Sequence, residues 1–197
     1  HCNRKIQNQS AQHTNYNIIL IVADDLGRND LGCYGNNFIE TPNINAMAAQ
    51  GMRFTKAYAA APLCSPTRAS IITGNNPARI NLTEHLHGYA PASPKQKLIT
   101  PRIVNGLPDS LVTIAEALQQ NGYATAHFGK WHLGGGKSSP AMQGFATVYG
   151  GGEEGLPKTF FYPFFNGTPY KDLLADTKPG DYLDDALTNK AIQYIQQ

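Results

Sequence analysis

The chain is poor in charge of either sign. Of its 197 residues, 15% are charged, and the formal net charge is only +2. Nothing in that balance argues for a nucleic-acid or membrane-surface partner. Cysteine is scarce as well: Cys2, Cys33 and Cys64 are the three present, and they make no disulfide framework. No run of 18 apolar residues occurs, which excludes a transmembrane helix. What the chain does have is 41% hydrophobic residues, enough for one globular domain with a sizeable core. Its 19 glycines and 13 prolines imply many loops, the usual carriers of binding and catalytic groups.

The first residues, His1-Cys2-Asn3-Arg4-Lys5, lack the apolar stretch of a signal peptide. Two readings stay open for residues 1–16: a flexible tail, or the remnant of a cleaved leader in which Cys2 resembles a bacterial lipoprotein anchor. Sequons at Asn8, Asn81 and Asn166 matter only in a eukaryotic secretory setting.

Along the chain, apolar periodicity alternates between strand and helix. Asn17 to Ala23 is a short Ile- and Val-rich run that stops at Asp24 and Asp25, and it reads as a buried parallel strand. A helix is expected over Ile44 to Gln50, closed by Gly51, and another over Ser65 to Thr73, closed by Gly74. Residues 75–109 read as loop. Pro108-Asp109-Ser110 opens a further amphipathic helix, with Leu111, Ile114, Ala115 and Leu118 on one face. Tyr123 to Phe128 is a second strand, and residues 134–180 are again loop-rich. Tyr182 to Gln197 closes the chain as a helix, with Leu183, Ala186, Leu187, Ala191, Ile192 and Ile195 inward. This alternation argues for an α/β fold, a parallel sheet flanked by helices.

Chemistry concentrates where these elements end. Cys64-Ser65-Pro66-Thr67-Arg68 sits at a helix start, where Pro66 costs no hydrogen bond and free N–H groups favour an anion. Arg68 adds a permanent cation one turn on. Asp24 and Asp25 are adjacent carboxylates at a strand end, which repel unless a cation joins them. Hard oxygen donors suit Ca²⁺ or Mg²⁺. Lys130 and His132 follow the second strand, and His85 and His87 lie in the long loop after Cys64.

Three stretches together resemble the type I sulfatases: Cys64-Ser-Pro-Thr-Arg-Ala-Ser-Ile-Ile-Thr-Gly74, Asn17-Ile-Ile-Leu-Ile-Val-Ala-Asp-Asp-Leu-Gly27, and Gly122-Tyr-Ala-Thr-Ala-His-Phe-Gly-Lys-Trp-His-Leu-Gly134. The resemblance implies the alkaline-phosphatase-like fold over residues 17–197, here as its N-terminal portion and truncated on the C-terminal side. It implies hydrolysis of sulfate esters of sugars or aryl alcohols, with Cys64 oxidised to formylglycine by a maturation enzyme. It places Cys64, Arg68, Lys130 and His132 in the catalytic set. Asp24, Asp25 and the modified Cys64 fall on a calcium site. His85 and His87 are candidate substrate contacts. The implied setting is periplasmic, extracellular or lipid-anchored at the cell surface. Two alternatives accompany it: a phosphonate or phosphodiester hydrolase of the same superfamily, and a truncated non-catalytic module. The family's second metal-ligand pair and its leaving-group lysine and histidine have no counterpart here, so the isolated chain is expected to be inactive.

Overall fold

The computed structural model describes residues 16–86, 95–98, 101–164 and 170–197. The chain divides into two compact units between Thr55 and Lys56.

In the first unit, Asn17 to Ala23 is exposed, has no regular secondary structure and joins no β ladder among the described residues. The buried strand expected there is therefore absent. Its apolar side chains suit a sheet interior, but a strand exists only when a partner takes up its N–H and C=O groups. Single turns of 3₁₀ helix follow at Arg28–Asp30 and Gly32–Tyr34, and α1 spans Pro42–Gln50. Pro42 fits the first turn, where its missing N–H leaves no bond unmade. The Thr41 hydroxyl accepts from Gly32 N at 2.9 Å, tying the helix to the 3₁₀ turns. Arg28 and Arg53 both lie over the Tyr34 ring, at 5.0 and 5.3 Å.

The second unit holds the remaining regular elements. Helix α2 is Cys64–Thr73, beginning one residue earlier than expected. Gly74 ends it at φ 68° and returns its N–H to Ser70 O, the left-handed cap that glycine makes without steric cost. Ser65, Pro66 and Ala69 are its buried face. Helix α3 is Ile114–Gln120, so the start expected at Pro108 to Ser110 is displaced. A capping box decides the boundary. Glu116 N donates to Thr113 Oγ1 at 3.1 Å, and Thr113 N donates to Glu116 Oε2 at 2.7 Å. Both free donors at the helix start are thus satisfied. The Thr113 hydroxyl also donates to Gln143 O at 2.7 Å.

Strand β1 is Ala126–Phe128, the C-terminal half of the expected strand. It pairs in parallel with β2, Thr147–Tyr149, in the register Ala126↔Thr147, His127↔Val148 and Phe128↔Tyr149. Residues 129–146 form the crossover, built from 3₁₀ turns at Gly136–Ser138 and Pro140–Gln143. Helix α4 is Leu183–Ile195. Leu183 and Ala186 are buried in it, but Ile192 and Ile195 are exposed, against expectation. Ile192 lies nine residues after Leu183, about half a turn around the helix. Tyr194 occupies the inner face instead, edge-on to Phe128.

Two apolar cores result. Ala69, Ile80, Leu82, Leu86, Leu107, Trp131 and Leu133 form one, and four of these come from the loop at 75–109. The stretch has no helix or strand among its described residues, yet it fills a core. Phe164, Tyr170, Leu173, Leu183 and Ala186 form the other. Phe164 is thereby a packing residue, while Phe160 and Phe161 remain exposed.

His127 lies on β1, edge-on to Trp131 and Phe145, with ring centroids 5.3 Å away in each case. Burial, reinforced by the Arg68 cation and opposed by a backbone bond at Lys130, lowers its pKa to about 4. Unfolding restores a value near 6.5, so the unfolded chain binds the proton more readily. The neutral ring contributes stability that is complete above pH 6.5 and is lost as pH falls toward 4, roughly 3 kcal/mol in all. Urea titrations between pH 7.5 and 4 are expected to show this slope, and His127→Phe is expected to flatten it. Thr113→Ala is expected to lower stability by about 1–2 kcal/mol through loss of the cap. Thr113→Ser should recover most of that loss in the same denaturation experiment.

Candidate active site

Helix α2 carries Cys64 as its first residue, with Leu63 as an extended N-cap that offers no side-chain bond. The Lys130 ammonium donates to Cys64 Sγ at 3.1 Å. Lys130 reaches this position because β1 ends at Phe128 and Gly129 turns the chain at φ 92°. Arg68, one turn along α2, donates from Nη1 to the Lys130 carbonyl at 2.5 Å. Arg68 thus fixes the loop from which Lys130 brings a cation to Cys64.

His132 is buried and stands at φ 57°, the left-handed region that a non-glycine residue enters at a cost. Packing and bonding hold it there. Its N–H donates to Gly152 O at 3.3 Å, and its Nε2 lies 3.1 Å from Leu86 O. A carbonyl only accepts, so Nε2 carries the proton and Nδ1 bears the lone pair. That Nδ1 is buried with no hydrogen-bond partner. Burial chiefly, with added repulsion from Lys130, His85 and Arg68, lowers the His132 pKa, against the raising effect of the Leu86 carbonyl. The ring is therefore a neutral acceptor in a cationic setting.

His85 stacks on His132, with centroids 5.8 Å apart and planes at 27°. A ligand atom from each of Cys64, His85 and His132 lies within 4.8 Å of the others. Gly155 closes the far side of the histidine: a Cβ there would stand 2.5 Å from His132 Cε1. Trp131 packs behind, fully buried, its indole donating to Ser138 O at 2.7 Å.

The second unit therefore gathers five residues singled out from sequence: Cys64, Arg68, Lys130, His132 and His85. Asp24 and Asp25 belong to the first unit, in an exposed turn with Asp25 at φ 57°. His87 lies outside the described residues. Three contributors had escaped the sequence. Ser65 accepts from Leu86 N at 3.1 Å, the Leu86 carbonyl receives His132, and Gly155 leaves room for the ring. Only Gly155 had a readable signal, in the glycine density of Gly150-Gly-Gly-Glu-Glu-Gly155.

Chemically, the cluster offers one oxidisable thiol at a helix start, two fixed cations and one neutral nitrogen acceptor. It suits a tetrahedral oxyanion better than a neutral substrate. Within the first unit, Asp24 and Asp25 are a separate pair of hard oxygen donors, of the type that fits Ca²⁺ although fewer than the roughly six to eight ligands it takes.

Gly155→Ala is expected to push His132 off its bond to Leu86, lowering stability by about 1–3 kcal/mol through overpacking. Denaturation compared between wild type, Gly155→Ala and the double variant with His132→Ala checks it, since removing the ring should relieve most of the loss.

The family model described as Sulfatase matches residues 16–197. Among curated relatives, arylsulfatase D of Homo sapiens is 45% identical over 141 residues, covering 68% of this chain and 23% of that protein. Arylsulfatase A of Homo sapiens is 44% identical over 137 residues, covering 68% and 25%. The solved structure of Ps i-CgsB in complex with k-i-k-neocarrahexaose superposes with a TM-score of 0.64 at 29% identity, covering 89% of this chain and 40% of that one. The chain thus spans about a quarter of the length of these curated relatives. The helices and small parallel sheet are a partial domain of the alkaline-phosphatase-like fold. By the match over nearly its whole length, the chain belongs to the sulfatase family.

Proposed function

We propose that the chain supplies the nucleophile-bearing part of a hydrolase of sulfate esters of sugars or aryl alcohols, with Cys64 acting after its conversion to formylglycine. The observation that carries this reading is the convergence of Lys130 Nζ on Cys64 Sγ at 3.1 Å with Arg68 held beside it. A fixed cation beside one potential nucleophile is what a sulfate monoester anion needs as it gathers charge in the transition state. Family membership supports the same chemistry.

Each residue then has a definable task. Lys130 binds a sulfate oxygen as a point charge with three donors. Arg68 holds the Lys130 carbonyl, so that the ammonium is presented from a fixed loop. His132 Nδ1, neutral and without a partner, accepts the proton of a hydroxyl at position 64. His85, stacked on His132 and half-buried, faces the leaving alcohol. Asp24 and Asp25 hold a calcium ion. Formylglycine, when present and hydrated, supplies one hydroxyl that takes up the sulfuryl group and a second that releases it as inorganic sulfate. Bound calcium supplies charge to polarise the sulfate oxygens.

The bound carrageenan-type oligosaccharide named for Ps i-CgsB and the aryl sulfatase relatives support a sulfated carbohydrate or aryl sulfate as the substrate class. A periplasmic, extracellular or lipid-anchored cell-surface setting is part of the same proposal. The formylglycine-generating enzyme is its maturation partner.

Co-expression with a formylglycine-generating enzyme is expected to convert Cys64, read as the mass of its peptide. An unchanged thiol beside a converted control sulfatase would refute the reading. In converted, catalytically active protein, Lys130→Ala is expected to lower kcat for an aryl sulfate by about 100-fold or more. Faster turnover of an aryl phosphonate than of an aryl sulfate would point to the phosphonate hydrolases instead. Asp24→Ala and Asp25→Ala are each expected to weaken calcium binding, measured by calorimetry, and wild-type affinity in both would remove the metal assignment.

A further inference from the structure

We infer that the unconverted form of this protein holds a borderline-soft divalent metal, of the Zn²⁺ class, on Cys64, His85 and His132. The three side chains come from three separate stretches: the first residue of α2, the loop after it and the turn after β1. Their ligand atoms nonetheless lie within 4.8 Å of one another. Zinc bonds of about 2.0–2.3 Å place tetrahedral ligands roughly 3.3–3.7 Å apart. Inward shifts of about 1 Å, shared between the half-buried Cys64 and His85 side chains, close that gap.

A second observation points the same way independently. His132 is nine-tenths buried and spends its Nε2–H on the Leu86 carbonyl at 3.1 Å, leaving Nδ1 buried without a partner. Metal-ligating histidines have this arrangement: one nitrogen donates to a backbone carbonyl, which fixes the tautomer, and the other keeps its lone pair for the ion. One sulfur and two imidazole nitrogens select Zn²⁺, Co²⁺ or Cu²⁺ over Ca²⁺ and Mg²⁺. Three protein ligands leave a fourth position for water. The thiol loses its proton to solvent as the metal–sulfur bond forms, while Lys130 Nζ, now 3.1 Å from the sulfur, swings away. Oxidation of Cys64 to the aldehyde removes the sulfur, so the soft site exists in one maturation state only. Metal capture then competes with conversion and with alkylation of the same thiol. The inference concerns the thiol form and does not depend on sulfate ester turnover.

The test uses the 197-residue chain produced without a maturation enzyme, with the Cys64 thiol verified by mass. Cys2→Ser and Cys33→Ser remove the other thiols. Titration of the metal-stripped protein with Co²⁺ under anaerobic conditions is expected to yield a thiolate-to-cobalt charge-transfer band and tetrahedral d–d bands at one equivalent. Zn²⁺ erases them and excess Ca²⁺ leaves them. Cys64→Ser is expected to abolish the charge-transfer band. His85→Ala and His85→Gln are each expected to weaken Co²⁺ binding about tenfold or more, with unchanged circular dichroism. Zn²⁺ is also expected to slow iodoacetamide labelling of Cys64 in proportion to occupancy. A folded chain without the charge-transfer band, an undiminished band in both His85 variants, or labelling indifferent to Zn²⁺ overturns the inference. A chain that fails in this way while its Cys64 is still converted by the generating enzyme leaves the sulfatase reading intact.

Discussion

The peptide unit of Leu86 holds the site together. Its N–H donates to Ser65 Oγ, next to Cys64, and its carbonyl receives Nε2 of His132. Both bonds are buried, so breaking either leaves a polar group without compensation. The Leu86 side chain, meanwhile, is packed in the core with Ala69, Trp131 and Leu133. One residue of an irregular loop thus fixes the start of α2 against the turn after β1. The Arg68 bond to the Lys130 carbonyl ties the same two elements a second time. The geometry around Cys64 is accordingly a property of packed elements, and it does not rely on long side chains finding one another in solvent.

Electrostatics explains why the histidine stays neutral while its neighbours do not. Arg68 and Lys130 are two cations in a small volume, and a third charge on His132 would add repulsion to a desolvation cost. The balance favours an uncharged ring with a directed lone pair. On β1, His127 obeys the same logic: burial and Arg68 deny it a proton. Around Arg68, burial and cationic repulsion thus both oppose a charge on these two histidines.

Much of this was readable in advance. Helix α2 showed itself through Pro66 near its start and Gly74 past its end, and β1 through the apolar run to Phe128. The small residues of Cys64-Ser-Pro-Thr-Arg and the order of three motifs pointed to the family now shown by its model. Other elements had no local signature, or a misleading one. Strand β2 is three residues inside a glycine-rich stretch, and its pairing with β1 is a tertiary event. Asn17 to Ala23 has the composition of a strand but no ladder among the described residues. In α3, Thr113-x-x-Glu116 is a legible capping box that outweighs the turn signal of Pro108. In α4, Ile192 has the hydrophobicity of a core residue, but its phase on the helix places it outward. Leu86 O and Gly152 O were beyond reach, because any residue carries a carbonyl and only the fold decides which one meets a histidine.

That dependence on main-chain acceptors has a consequence for substitution. His132 is oriented by carbonyls at 86 and 152, and the Lys130 turn is gripped through its own carbonyl. Substitutions leave such atoms in place so long as the backbone path survives. The outward side chains of these loops can therefore be exchanged while His132 and Lys130 keep their orientation, because what faces solvent and what holds the cluster are different atoms of the same chain.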